Sequence, residues 1–164
     1  MKGEEIIQYF EQHPADSLTI HHLSSKISKS YGWTHQHAKS LSEAGMLHMQ
    51  RIGASILCKP DIRNELMIGA LCWATSLRSA TFLHANDNQA IMNRIKANIT
   101  NAIAIAHVEN SYIVLSTEGH GRHAIDGHEI TFVQPTKEAL QRMQKGIIIY
   151  GYERFWRAWG DTHD

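Results

Sequence analysis

Thr19-Ile20-His21-His22-Leu23-Ser24-Ser25-Lys26-Ile27 and, after a short turn, Thr34-His35-Gln36-His37-Ala38-Lys39-Ser40-Leu41-Ser42-Glu43-Ala44-Gly45-Met46-Leu47 are the two stretches from which the fold is read. In the first, Ile20, Leu23 and Ile27 fall at i, i+3 and i+7, one apolar stripe of a helix, and Thr19 stands where a hydroxyl caps it. Ser28 to Gly32 reads as a turn. In the second, Ala38, Leu41 and Ala44 point inward on a helix that Thr34 is placed to cap and that Gly45 ends, as a residue free to take positive φ does. Upstream, Ile6, Ile7 and Phe10 give a first helix over residues 3–12, with Glu4 and Glu5 in the turn where the helix dipole favours acids. Pro14 and Asp16 break it. Downstream, residues 46–51 and 55–60 flank Ile52-Gly53-Ala54 and read as two strands of a hairpin, with Pro60 and Asp61 marking a boundary.

With Ala38, Leu41 and Ala44 inward, the side chains of His35, Gln36, Lys39 and Ser40 project outward from the first half of the third helix. Sixteen basic and sixteen acidic residues cancel over the whole chain. Their distribution is uneven: between Ser17 and Lys59 the bases Lys26, Lys29, Lys39, Arg51 and Lys59 face one acid, Glu43, a local net charge of +4. A positive module on a neutral protein is compatible with phosphate contacts and restrains the non-specific binding of a uniformly basic chain.

The second half alternates helix and strand. Ile62–Leu77 is apolar on nearly every face, Ala80–Leu83 reads as a strand, and Ile91, Ile95 and Ile99 mark a helix. Ala102–Val108, Tyr112–Ser116, Glu129–Val133 and Ile147–Tyr150 read as further strands, with a Gly- and His-rich loop over Thr117–Gly127. Pro135–Lys145 and Glu153–Trp159 read as helices. The expected class is α+β: a helical module with a hairpin over residues 1–60, then a small α/β domain over 61–164.

Three helices followed by a hairpin within sixty residues, with a helix, a turn and an h-x-x-L-x-x-x-G-L pattern running into Leu47, resemble the bacterial and archaeal winged helix-turn-helix regulators. Ala38, where a larger aliphatic is usual, and the bulky Trp33 depart from that pattern without disturbing its periodicity. The resemblance implies double-stranded DNA as partner and transcription regulation as function, with Lys29, Thr34, His35, Gln36, Lys39, Ser40 and Arg51 at the DNA. Gln36 suits adenine, His35 guanine or phosphate, Lys39 phosphate or a guanine oxygen, and Arg51 at the wing the backbone or minor groove. It also implies a homodimer, because one short helix reads too few base pairs, and an effector of unknown kind.

Residues 127–133 and 145–156 resemble the closing strands and helix of small archaeal regulators that fuse a winged helix to a minimal nucleotidyltransferase-like domain. The Gly-Ser turn and the Asp-x-Asp pair that such chemistry needs for magnesium are missing, since His84-Ala85 follows Phe82-Leu83. The expectation is no enzyme, no catalytic residue and no cofactor, with a degenerate domain used for dimerisation or sensing. An active nucleotidyltransferase is the alternative.

Twelve histidines are many for 164 residues. His120, His123, His128 and Asp126 are of types that hold zinc or nickel, so a metal-responsive regulator is a further alternative, although their spacing fits no ligand motif and no metal is expected. Cys58 on a strand and Cys72 in an apolar helix read as packing residues, not nucleophiles. The opening MKGEEIIQYF has acids where a secretory signal is basic, and no stretch reaches the ~20 uncharged apolar residues of a membrane span. The expected location is the cytoplasm, with no membrane partner.

Overall fold

The chain folds as mixed α+β, seen in a computed structural model that describes residues 3–85, 88–99, 101–118, 121–125 and 127–163. Its contacts divide it into two compact units, Met1–Ala74 and Thr75–Asp164. The division falls inside a helix rather than at Pro60, because the four residues after Pro60 lead directly into that helix, whose first half belongs to the first unit.

In the first unit, α1 (Glu4–Gln12) buries Ile6, Ile7 and Phe10. A two-residue strand, β1 (Leu18–Thr19), leads into α2 (Ile20–Lys26), and the Thr19 hydroxyl caps it by accepting the His22 N–H at 3.3 Å. The next helix, α3 (Tyr31–Glu43), starts three residues before Thr34. Ser30 is its cap, its hydroxyl accepting the Trp33 N–H at 3.2 Å, and Gly32 lies within the first turn instead of breaking it. Ala38 and Leu41 are buried as expected, but Ala44 is exposed at the helix end. Gly45 then takes a φ of 75°, and the chain enters β2 (Leu47–Ile52), turns at Gly53-Ala54 and returns as β3 (Ser55–Pro60). β3 pairs antiparallel with both neighbours, Cys58 lying opposite Leu18 on one side and Met49 on the other, so the sheet runs β1-β3-β2. The core of this unit unites Ile6, Ile7, Phe10, Ile20, Leu23, Ala38, Leu41, Leu47 and Cys58.

The helix α4 (Glu65–Leu83) is longer than its apolar run, because residues 80–83, which read as a strand, form its last turn. Nothing between Leu77 and Ala80 breaks the helix, and Phe82 and Leu83 find an apolar partner without leaving it. Among the described helices α4 alone has the length and hydropathy of a membrane span, 19 residues with a mean hydropathy of 1.3. It contains Met67, Ile68, Leu71, Ala74 and Thr75 in buried positions.

The second unit is built on a five-stranded sheet of β4 (Ala102–Val108), β5 (Ser111–Ser116), β6 (Gly121–Ile125), β7 (His128–Val133) and β8 (Ile147–Tyr150), in the order β6-β7-β5-β4-β8. Only β5 and β7 run parallel. The strand β6 lies in the segment read as a loop; it carries no apolar alternation and is held by pairing with β7 and by Arg122–Glu129, 3.5 Å apart. One face of the sheet presents Ile105, Tyr112, Val114 and Ile130 to Met92 and Ile95 of α5 (Asn88–Asn98) and to Phe82 and Leu83. By register, Ala104, Ala106, Ile113 and Ile148 lie on the other face, and α6 (Lys137–Gln144) and α7 (Tyr152–Thr162) pack against β4.

Candidate nucleic-acid interface

Helical spacing decides which α3 side chains are presented. Thr34, Ala38 and Leu41 form the buried stripe, which leaves Gln36, Lys39, Ser40 and Glu43 exposed on the opposite side. Gln36, Lys39 and Ser40 therefore share one face, three and four residues apart, as the sequence implies. Thr34 does not belong with them. It is fully buried, and its hydroxyl donates to the Ser30 carbonyl at 3.0 Å, so it is withdrawn from the contact set; the earlier helix start places it on the inward side.

The remaining expected residues are presented unequally. His35 is half-buried, its ring parallel to that of Tyr31 at 6.0 Å and 5°. Ser40 is exposed, with its hydroxyl donating back to the Gln36 carbonyl at 3.3 Å. Lys39 lies 3.8 Å from Glu43, and both side chains are about two-thirds exposed, a weak helical pair worth roughly 0.3–0.5 kcal/mol that a phosphate can displace. Lys29 is held far more firmly: its ammonium is 2.7 Å from the Glu5 carboxylate and 5.2 Å from the Trp33 ring centroid. The hydrogen bond from Lys29 holds the Glu5 carboxyl below the usual carboxylate range. Arg51 is exposed on β2 beside the hairpin turn, its Nε–H donating to the Gly53 carbonyl at 3.3 Å.

Two aromatic residues stand at the start of α3: Tyr31, which by sequence reads as part of the turn, and Trp33, which reads there only as a bulky departure from the winged-helix pattern. Tyr31, 50% exposed, and Trp33, half-buried, both belong to the first turn of α3. The signal was present as i, i+4 pairs of rings, Tyr31 with His35 and Trp33 with His37, and becomes legible only once the helix is known to start at Tyr31.

The histidine-rich segment is only partly described, since His120 and Asp126 lie outside the described residues. His123 on β6 and His128 on β7 point to the same face of the sheet by register, His123 against Phe132 and His128 against Tyr112. Burial, and secondarily His128, keep the His107 imidazole below its ordinary value. Among the described residues no three His, Cys, Asp or Glu side chains are grouped to hold a metal. In the segment that resembles nucleotidyltransferase-like domains β7 and β8 are separated by β5 and β4, and residues 80–83, the place of the first strand that such a domain needs, are helical. Compared with protein-family models, with curated proteins and with solved structures, the chain finds no match in any of the three.

Proposed function

We propose that the chain is a sequence-specific regulator that binds double-stranded DNA through a winged helix-turn-helix formed by its first unit, and that it works as a homodimer in the cytoplasm. The observation that carries this reading is the exposed α3 face of Gln36, Lys39 and Ser40, mounted in a unit of order α1-β1-α2-α3-β2-β3 with a β1-β3-β2 sheet. A helix so mounted enters a major groove by its first half. Gln36 offers an amide that bonds adenine in two places, and Lys39, once it leaves Glu43, meets guanine oxygen or phosphate. Arg51 and Lys59, both exposed on the hairpin, supply backbone charge. Glu43 on the same face penalises any register that brings phosphate to the end of α3, which orients the helix.

Selection of duplexes from a randomised pool by the full chain tests the proposal. A preferred sequence should emerge; Gln36→Ala should then relax the preference at one base position at a cost of about 1–3 kcal/mol. Lys39→Ala should lower the slope of log Kd against log salt by about 0.9. Variants that bind like the parent chain would remove α3 from the interface, and a pool that yields no preferred duplex would remove the function.

A further inference from the structure

The start of α3 is tied to α1 through Lys29, which the winged-helix resemblance places at the DNA, together with Glu5, Trp33 and His37. The backbone turn between α2 and α3 sets this up: Ser28 takes a φ of 55°, and the Lys29 N–H donates to the Ser24 carbonyl at 3.0 Å. From there the Lys29 ammonium meets Glu5 of α1 at 2.7 Å and lies over the Trp33 ring at 5.2 Å. The other neighbour of that ring is the His37 imidazole, 4.0 Å away and 21° from parallel. His37 is itself fixed, because its Nδ1 sits 2.8 Å from the Trp33 carbonyl, and a carbonyl can only accept. At the same place Gly3 brings α1 so near to α3 that a Cβ there would lie 3.4 Å from Leu41 and 3.5 Å from the His37 Cβ.

We infer that Glu5, Lys29, Trp33 and His37 form a clamp that sets the pose of α3 against α1, so that Lys29 and Trp33 position the reading helix and do not contact DNA. The inference rests on the DNA-binding reading for its purpose, but not for its existence as a structural device. Geometry gives the reason it matters. Gln36 and Ser40 lie about 8 and 14 Å along α3 from Tyr31, so a tilt of about 10° at its start moves them by roughly 1–2 Å. Bidentate base contacts tolerate only a few tenths of an ångström. The comparison with Lys39 separates the two roles: Lys39 and its partner are about two-thirds exposed at 3.8 Å, whereas Lys29 and Glu5 are about one-third exposed at 2.7 Å with an aromatic face beside them. For Lys29 to meet a phosphate, it would have to leave two partners at once.

The test uses the full chain with Lys29→Met, Glu5→Gln, their combination, and Lys29→Arg, which keeps the charge and the aromatic contact. Hydrogen exchange without DNA should show faster exchange of the amides of residues 31–37 in Lys29→Met and in Glu5→Gln, with protection recovered in Lys29→Arg. Unchanged protection in Lys29→Met overturns the clamp whatever the DNA results are. With a duplex selected by the parent chain and a scrambled duplex of the same composition, the two single variants should each lose about tenfold in discrimination, the double variant no more than either, and the salt slope should stay that of the parent. A slope lower by about one in Lys29→Met alone, with Glu5→Gln binding more tightly than the parent, makes Lys29 a phosphate contact and overturns the inference. A parent chain that prefers no duplex overturns the DNA reading, and the exchange measurement then decides the clamp by itself.

Discussion

Ser30 and Thr34 are both hydroxyl residues suited to open a helix, and the choice between them decides which side of α3 each neighbour occupies. Ser30 has the extended backbone and the acceptor bond of a cap, whereas Thr34 is buried and bonds back one turn. Ser30→Ala should therefore cost about 1 kcal/mol of stability, read as a lower urea midpoint at unchanged m-value. Cys58 makes a second prediction at this scale. Burial pushes its thiol up to about 11, against about 8.5 in an unfolded chain. Above pH 8.5 the unfolded state then binds fewer protons than the folded state, so this group's contribution to stability falls as pH rises toward 11. The loss should be about 1 kcal/mol between pH 8.5 and 9.5, and Cys58→Ala should lack it when urea midpoints are compared at the two values.

Among the elements, α4 and α7 are joined by a bond that neither segment's own sequence announces. The indole N–H of Trp156 donates to the Thr75 hydroxyl at 3.0 Å, inside an aromatic group that includes Phe155 and Trp159. Replacing Thr75 by Val keeps the shape and leaves a buried donor without its acceptor. The second unit should lose about 1–3 kcal/mol, measured by thermal or urea unfolding followed through tryptophan fluorescence. An unchanged midpoint would mean that the indole finds another acceptor. Arg122 and Glu129 meet across the hairpin of β6 and β7, two consecutive strands joined by residues 126–127 and paired from Ile125 opposite His128.

For the whole molecule, the proposed homodimer turns on the outer side of α4. Leu66, 61% exposed, and Leu77, 45% exposed, lie on one stripe with Gly69, Trp73 and Ala80, at spacings of a single helix face. The stripe carries no charged side chain. No heavy atom lies within 4 Å of a Cβ built on Gly69, which leaves space for the approach. The double substitution Leu66→Glu with Leu77→Glu should convert a dimer to a monomer in sedimentation velocity without loss of helical circular dichroism. A parent chain that sediments as a monomer at micromolar concentration would remove the homodimer from the proposal.

What the sequence by itself determined is local: the stripe Ile20, Leu23, Ile27, the cap at Thr19, the positive φ at Gly45, the hairpin about Gly53, and the outward set Gln36, Lys39 and Ser40. Each depends on residues within a turn or two of one another, and the backbone's own preferences decide them. Tertiary structure alone decided that residues 80–83 stay helical and that Lys29 meets Glu5. In those places local preference is weak or balanced. The free energy that settles them comes from partners far along the chain: an apolar sheet face for Phe82 and a carboxylate 24 residues upstream for Lys29.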